Sequence, residues 1–343
     1  AFYERYRAYP IINTSYEKPV KVNDDCPPYL VYDDLGHNRS LRAFELKKIY
    51  NAILRRKYSD YCPKDYINMV VNSVKDDPVK LRAPRYVKHQ EEDSIPIKNR
   101  NIKIQLFVNG KHHVHHIREI GYVESPVRVK TIFREISKLG IISEGRVNEY
   151  PDRYIYDIHD REYVKYFKTV CTGLEPGKSV YPYVFPIRNV AKPPKELSVR
   201  AGYYCIDTFT PLNLNAYQAA RWGVNCTLTA ADSILEGNRM VYVLTRPPGH
   251  HAERLVFGGF CYFNNAAIAA NYLSKYGKVA ILDIDYHHGN GQQQIFYKRS
   301  DVCTISIHGH PSFAYPYFSG FKDEKGKDTG YGFNHNFPLK EEL

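Results

Sequence analysis

Two short polar segments contain residue types that can bind a metal ion and move protons. Residues 246–251 read RPPGHH, and residues 283–291 read DIDYHHGNG. In the second segment Asp285 and His287 are two positions apart, and alternate side chains of an extended backbone point to the same side. Carboxylate and imidazole groups are both good zinc ligands. The spacing therefore predicts that Asp285 and His287 bind one zinc ion.

The adjacent histidines of the first segment, His250 and His251, suit proton transfer. One ring can act as a general base while its neighbour stabilises charge. Two side chains of the second segment, the carboxylate of Asp283 and the amide of Asn290, are expected to orient these rings by hydrogen bonds. Either segment alone is common in purely structural contexts, whereas both together, each directly after an apolar strand, favour a catalytic site.

An alternation of strands and helices from residue 102 onward would bring the two segments together. Apolar runs predict strands at 102–108, 240–245, 279–284 and 302–307. Helices are predicted at 125–140, after Asp160, and at 216–235, 262–276 and 292–297. Near-continuous apolar strands between helices indicate a parallel sheet covered on both faces. The active site of such a sheet lies beyond the carboxyl ends of its strands, where both polar segments begin.

Residues 1–101 are unlike the rest of the chain, because they are rich in proline, tyrosine and charge and poor in glycine. Helices are predicted at 40–58 and 63–74, and residues 82–100 are typical of a linker. The first helix would place on one face Leu41, Phe44, Ile49, Ile53 and Leu54. We therefore expect a small, mostly helical N-terminal extension at 1–101, which places a partner or substrate, followed by an α/β domain at 102–343.

Composition excludes several classes of protein. The chain has 343 residues, 43% hydrophobic and 25% charged, which is typical of globular domains. No apolar run approaches the roughly 18 residues of a membrane span, and the first residues lack the apolar segment of a signal peptide. Seven cysteines form no Cys-x-x-Cys pair, which favours a reducing compartment, cytoplasmic or nuclear. The net charge of +11 is compatible with a position near chromatin or other nucleic acid.

Three longer motifs resemble those of one enzyme family. They are RPPGHHA (246–252), GGFCYFNNAAIAA (258–270) and ILDIDYHHGNGQQ (281–293), with weaker matches at YVESPVRV (122–129) and YDIHDREYVKYF (156–167). They are similar to the zinc-dependent deacetylases, the family that includes histone deacetylases and acetylpolyamine amidohydrolases. RPPGHHA and the asparagine of HHGNG resemble the acetylpolyamine and class II branches more than class I. The resemblance implies an arginase-like, three-layer α/β fold with a central parallel sheet.

The resemblance also implies roles in a zinc-dependent hydrolysis of N-acetyl amides. Asp285 and His287 would hold the zinc ion. His251, supported by Asn290, would be the general base for the attacking water. His250, with the carboxylate partner named above, would be the electrostatic partner and help to protonate the leaving amine.

Further residues are implied in substrate and ion binding. Phe260 and Tyr315 match the aromatic walls that hold the substrate stem, and Gly259 matches a position whose carbonyl meets the substrate. Asp283 and Ser306, with backbone carbonyls of the second polar segment, match a structural potassium site.

The sequence departs from the family pattern at its end. The family's third zinc ligand, an aspartate, and its oxyanion-binding tyrosine lie in the C-terminal third of its members, whereas the sequence ends at Leu343 before either position. We therefore expect an incomplete deacetylase domain that is part of a longer product. The alternative is a module that binds acetyl-lysine with impaired catalysis, since loss of an oxyanion donor typically costs about 10²–10³ in rate.

Two substrate classes remain open. Polyamine-selective members carry an acidic side chain soon after Tyr-Tyr-Cys, where this chain has Phe209, with Asp207 nearby as a substitute. A positively charged protein is a poor electrostatic trap for a cationic polyamine. We therefore expect deacetylation of acetyl-lysine in proteins, including histone tails, with acetylpolyamines as the alternative. The sequence is also compatible with a homo-oligomer.

A histidine cluster precedes these motifs. It consists of His112, His113, His115 and His116. Such a tract binds metal in some proteins, but an exposed strand or loop is the more common context. We therefore predict an exposed segment here.

Overall fold

A computed structural model describes residues 8–17, 30–34, 39–56, 62–83, 103–118, 122–182 and 194–340. The chain forms two compact units, one of residues 1–98, 118–123 and 342–343 and the other of residues 99–117 and 124–341. The linker predicted at 82–100 lies, apart from its first two residues, outside the described residues. Within the described ranges, no helix has both the length and the apolar character needed to cross a membrane.

The first unit contains two helices, α1 (Ala43–Arg56) and α2 (Lys64–Ser73), and an antiparallel pair of short strands, β1 (Tyr9–Pro10) and β2 (Val31–Tyr32). Both predicted helices are present. The helices pack around a small apolar core formed by Ile11, Leu41, Leu46, Tyr50, Leu54, Cys62, Ile67, Val70, Val74 and Val79.

The face predicted to be buried on α1 is wrong in part. The helix buries Leu46, Tyr50 and Leu54, which follow one another at intervals of four residues, whereas Phe44 is 58% exposed and Ile49 is 37% exposed. A row spaced by four lies along one side of a helix, and Tyr50 completes that row. The prediction placed Phe44 and Ile49 on this face and missed both Leu46 and Tyr50.

The second unit is built on two parallel sheets, each of three strands. One has the order β4-β3-β7 and the other the order β8-β9-β10. The strands are β3 (Ile104–Val108), β4 (Ile142–Glu144), β7 (Val241–Leu244), β8 (Val279–Asp283), β9 (Val302–Gly309) and β10 (Asn334–Leu339), with an antiparallel pair of β5 (Ser179–Val180) and β6 (Leu212–Asn213). The four predicted strands are all present, so the predicted α/β class is confirmed.

Seven helices accompany these strands in the described residues of the second unit. They are α3 (Val127–Ser137), α4 (Arg153–Tyr156), α5 (Arg161–Gly173), α6 (Leu197–Arg200), α7 (Ala216–Leu235), α8 (Asn265–Leu273) and α9 (Asn290–Phe296). Asp160 caps α5 as predicted, because its carboxylate accepts the backbone N–H groups of Glu162 and Tyr163. Helix α8 begins three residues later than predicted, because the Asn264 side chain accepts from the Ala267 N–H and caps it there.

The sheet of β8, β9 and β10 is covered on one face only. Val302, Thr304 and Ser306 are buried on the face toward α8 and α9, whereas the opposite face exposes Leu282 (60%) and Phe337 (52%). The sequence predicted cover on both faces, and in the described residues this sheet shows it on one face. No described helix lies on the second face, which also carries Leu339 and Ile307, the register partner of Phe337.

An aromatic core lies below the loop that precedes α8. Tyr163 and Phe167 of α5 stack against rings of that loop, and the Tyr163 hydroxyl donates to the Tyr262 carbonyl at 2.6 Å. Phe257, Tyr262 and Phe263 are almost completely buried. Large aromatic side chains bury much area and pack with fixed geometry. The core therefore supports a rigid platform for residues 257–263.

Candidate active site

The two polar segments lie side by side at the carboxyl ends of β7 and β8. The first continues from β7 into residues 246–251, and the second leaves β8 and enters α9 at Asn290. A direct backbone hydrogen bond joins them, from the Gly291 N–H to the His250 carbonyl at 2.9 Å. The structure therefore brings together the segments that the sequence placed at the ends of different strands.

Each of the two adjacent histidines has its own partner. Nδ1 of His250 lies 2.9 Å from Oδ2 of Asp283, and Nδ1 of His251 lies 2.7 Å from Oδ1 of Asn290. The two rings are 3.9 Å apart between centroids. One histidine thus faces a carboxylate and the other a neutral amide, in the pairing expected from the sequence.

Burial keeps His251 neutral. Loss of solvent, together with the charge of the nearby His250, lowers the pKa of His251 to about 3. Since Oδ1 of Asn290 accepts a hydrogen bond, Nδ1 of His251 carries the proton. The Nε2 lone pair is then free at neutral pH, which is the state that a general base requires.

Glu253 fixes the orientation of the Asn290 amide. Nδ2 of Asn290 donates to Oε1 of Glu253 at 2.8 Å and to the His251 carbonyl at 3.3 Å, so the amide oxygen must face the His251 ring. Burial raises the pKa of Glu253. The sequence analysis missed this residue, although a carboxylate within the RPPGHHA-E run was a visible signal.

Asp283 carries negative charge beside His250. Burial alone would raise the pKa of Asp283, but the hydrogen bond and charge of His250, with further bonds from the Asp285 N–H and Gln292, lower it below its usual value. The Gln292 amide donates to the same carboxylate oxygen at 2.5 Å. The carboxylate is thus held in place from two sides, by His250 and by Gln292.

Asp285 and His287 are suitable donors for a metal ion. Nδ1 of His287 and Oδ1 of Asp285 are 3.5 Å apart, which allows both to lie about 2.0–2.2 Å from one zinc ion. Each side chain is nearly half exposed, so the pair opens toward solvent. Within the described residues, no group of three or more His, Cys, Asp or Glu side chains is close enough to hold a metal. The pair fits zinc as two of the three protein ligands usual in catalytic sites.

Aromatic rings line the approach to the histidines. The Tyr315 ring lies 4.7 Å from that of His251 and 5.9 Å from that of His287. Phe209 contacts both Phe260 and Tyr315 with ring centroids 5.5 Å apart in each case. The sequence predicted Phe260 and Tyr315 as walls but noted Phe209 only as a missing acid. Phe209 is a third wall residue.

Position 259 requires glycine because it lies against the His251 ring. Its φ of 54° lies in the left-handed region, and a Cβ there would lie 2.1 Å from Cδ2 of His251. Phe260, the next residue, also has a positive φ of 66°. Any other residue at 259 would displace the His251 ring or the turn.

Asp207 does not lie at the mouth as a substitute acid. Its carboxylate is buried, with the side chain turned inward to accept hydrogen bonds from the Gly259 N–H at 2.6 Å and the Tyr315 hydroxyl at 2.8 Å. Burial, together with the charge of Asp207 and its hydrogen bond, raises the pKa of Tyr315, so this hydroxyl stays a donor. The expectation that Asp207 takes the place of the acidic residue at the pocket mouth is therefore wrong.

The residues assigned to potassium lie opposite each other. Asp283 on β8 and Ser306 on β9 are register partners, and the Ser306 hydroxyl lies 3.1 Å from Nδ1 of His288 and 2.8 Å from Nδ1 of His308. The Ser306 hydroxyl is therefore engaged by imidazole rings. A potassium ion here stays a prediction.

The histidine cluster is partly buried. His112 and His115 are 8% and 1% exposed, so the prediction of an exposed segment is wrong for these two. Their carbonyls accept from Nη1 of Arg246, whose Nε also contacts the Glu124 carboxylate. The cluster thus anchors the start of the segment that carries His250 and His251.

Comparison with known proteins identifies the family. Residues 122–343 match the histone deacetylase domain. Acetylpolyamine amidohydrolase 2 of Pseudomonas aeruginosa is 39% identical over 241 residues, which cover 66% of this chain and 70% of that protein. Histone deacetylase 9 of Homo sapiens is 38% identical over 144 residues, 40% of this chain and 14% of that protein.

The fold comparison agrees. A crystal structure of acetylpolyamine aminohydrolase from Burkholderia pseudomallei matches with a TM-score of 0.64 and 32% identity, covering 69% of this chain and 72% of that one. The chain therefore belongs to the histone deacetylase domain family. The predicted family, three-layer α/β fold and deacetylase enzyme class are confirmed. The chain spans about two thirds of the length of the curated acetylpolyamine amidohydrolases that it matches.

Proposed function

We propose that the protein hydrolyses N-acetyl amides of primary alkylamines at this site. The observation that carries the proposal is the pair of differently partnered histidines, His251 on neutral Asn290 and His250 on anionic Asp283, facing the Asp285–His287 pair. Two imidazoles so close together cannot both carry charge at low cost. Their partners therefore divide the roles of base and cation between them.

The protein's own residues account for binding and proton movement. Phe209, Phe260 and Tyr315 bind the substrate stem and exclude water from it. His251 accepts a proton from the attacking water at Nε2, because its Nδ1 proton is held by Asn290.

A bound metal ion would complete this chemistry. Asp285 and His287 would hold a zinc ion, which when bound polarises an amide carbonyl and lowers the pKa of water. His250, hydrogen-bonded to the Asp283 carboxylate, stabilises negative charge that develops at the carbonyl and delivers a proton to the leaving amine. These roles for the residues follow from their partners and burial.

Acetyl-lysine in proteins is the first candidate substrate. The supporting observation is Phe209, a neutral, 42% exposed ring where an acidic mouth residue would attract a polyamine. An aromatic face suits the aliphatic stem of lysine. Acetylpolyamines are the second candidate, supported by the relatives named acetylpolyamine amidohydrolases.

Turnover of two substrates tests the proposal. An acetyl-lysine peptide and N-acetylspermidine are assayed with the wild type, with His251→Ala, and with His335→Ala as a matched control, since His335 is exposed on β10. We expect His251→Ala and chelation to abolish activity, zinc to restore the chelated sample, and the control to match the wild type. Activity retained in His251→Ala would contradict the proposed role of His251 as general base. No turnover together with no stoichiometric zinc binding would favour the non-catalytic binding module.

A further inference from the structure

We infer that Asp207 is a positioning residue that holds the three aromatic walls of the substrate channel in one geometry. This inference rests on the proposed function. The side chain is 6% exposed and accepts five hydrogen bonds. Its donors are the backbone N–H groups of Phe209, Thr210 and Gly259 and the hydroxyls of Thr210 and Tyr315, at 2.6–3.2 Å.

These donors come from three separate segments, and each segment carries one wall residue. Phe209 lies in the turn that Asp207 itself closes. Tyr315 brings its own hydroxyl to Oδ2 of Asp207. Phe260 follows Gly259, and its N–H donates to the Thr210 hydroxyl at 3.0 Å. One carboxylate therefore links all three walls, directly or through Thr210.

The link matters most at Gly259 and Phe260, because both have positive φ angles, of 54° and 66°. A non-glycine residue in this region is strained, and such a conformation persists only where its surroundings fix it. The 2.6 Å hydrogen bond from the Gly259 N–H to Asp207 supplies such a restraint. Hydrogen bonds to an ionised carboxylate are about twice as strong as neutral ones.

The same contacts argue against a direct role in binding a polyamine ammonium. An ionised carboxylate offers about four lone-pair sites, and Asp207 already receives five donors from the protein. An ammonium group would have to displace one of these donors in a buried space. Asp207 therefore acts on the substrate through the aromatic rings.

A comparison of substrates with narrow and wide stems separates a positioning role of Asp207 from a purely stabilising one. The assay compares an acetyl-lysine peptide with a peptide in which a phenylene ring replaces part of the straight stem. Loss of folded or metal-loaded protein lowers both rates equally, whereas a displaced wall changes their ratio. We expect Asp207→Asn to reduce the preference for the straight stem by about tenfold, the equivalent of one charge-assisted hydrogen bond.

The control and a second variant guard against a trivial result. Asp160→Asn changes another carboxylate that accepts backbone N–H groups, at the start of α5, and should leave the ratio unchanged because Asp160 contacts none of the three wall residues through its side chain. If Asp207→Asn does not fold, Tyr315→Phe keeps the ring and removes one donor, and should shift the ratio in the same direction by a smaller factor. An unchanged ratio in the folded Asp207 variant, or in Tyr315→Phe when only that variant folds, overturns the inference.

A binding measurement keeps the test independent of turnover. N-butylacetamide, a neutral mimic of the substrate stem, is titrated into the protein while the Gly259 and Phe260 amide resonances are followed by NMR. We expect Kd to rise about tenfold in Asp207→Asn but not in Asp160→Asn. If the wild type turns over neither substrate, the proposed function fails while this titration still decides the inference. Equal Kd values in the wild type and Asp207→Asn would overturn it.

Discussion

Replacing Glu124 by glutamine should destabilise the second unit far more than the same change at the surface. Arg246 is 2% exposed, and its Nε lies 2.5 and 2.7 Å from the two carboxylate oxygens of Glu124, which is itself 8% exposed. Within the described residues, Nη2 of Arg246 has no hydrogen-bond partner. Glu124 is therefore the anion that balances a fully buried guanidinium.

The size of the effect follows from that burial. Removing one partner of a buried ion pair typically costs about 3–5 kcal/mol, because a buried charge is left uncompensated. Glutamine keeps one acceptor oxygen, so we expect Glu124→Gln to lower the free energy of unfolding by about 3 kcal/mol. Glu135→Gln is the matched control, since Glu135 pairs with Arg134 and Lys138 on the exposed side of α3. Exposed pairs are worth about 0–1 kcal/mol.

Urea unfolding followed by tryptophan fluorescence measures this difference. Trp222 is the single tryptophan of the chain and lies in α7, so its signal reports on the second unit. We expect a clearly lower midpoint for Glu124→Gln and a midpoint close to that of the wild type for Glu135→Gln. Equal loss of stability in both variants, or a loss below about 1 kcal/mol for Glu124→Gln, would refute the interpretation that Glu124 compensates the buried charge of Arg246.

Three further changes have defined outcomes. Gly259→Ala should lower kcat/KM about 10²-fold with folding retained, because its Cβ would displace the His251 ring; wild-type rates would contradict this. Glu253→Ala should lower kcat about tenfold at unchanged zinc content, because the Asn290 amide loses the acceptor that orients it. An unchanged kcat would contradict the role of Glu253 in orienting Asn290. Burial lowers the pKa of His159 to about 4 from an ordinary 6.5, so the unfolded chain takes up the proton first and stability falls as the pH drops from 6.5 to 4. At about 1.4 kcal/mol per pKa unit the full loss is about 3 kcal/mol, of which about 2 kcal/mol falls between pH 7 and 5. His159→Gln should flatten this dependence in urea titrations at pH 7 and 5, and an equally steep variant would disprove it.

The paired histidines could be predicted because their signals are local. Each polar segment follows a strand directly, and the carboxyl ends of strands in an α/β fold converge on one edge. His250 with Asp283 and His251 with Asn290 therefore lie within hydrogen-bond distance as expected. Motif spacing within a few residues of a strand end was sufficient information.

The residues that support the site could not be found in this way. Glu124 and Arg246 are 122 positions apart, and Asp207 reaches Tyr315 across 108 positions. Such pairings depend on how loops close over the sheet, and no periodicity in the sequence encodes them. Asp207 is expected from the sequence to replace the acid at the pocket mouth, because its five buried hydrogen-bond donors are not visible in the sequence.

The two adjacent histidines have different partners, a carboxylate for His250 and an amide for His251. With rings 3.9 Å apart, a proton on either histidine discourages a proton on the other. Asp283 places a carboxylate beside His250, whereas Asn290, turned by Glu253, leaves His251 neutral with Nε2 free. A second carboxylate in place of Asn290 would favour a cation on both rings and remove the distinction between them. The asymmetry of the partners, and not of the histidines themselves, therefore supports the proposal that His251 is the base.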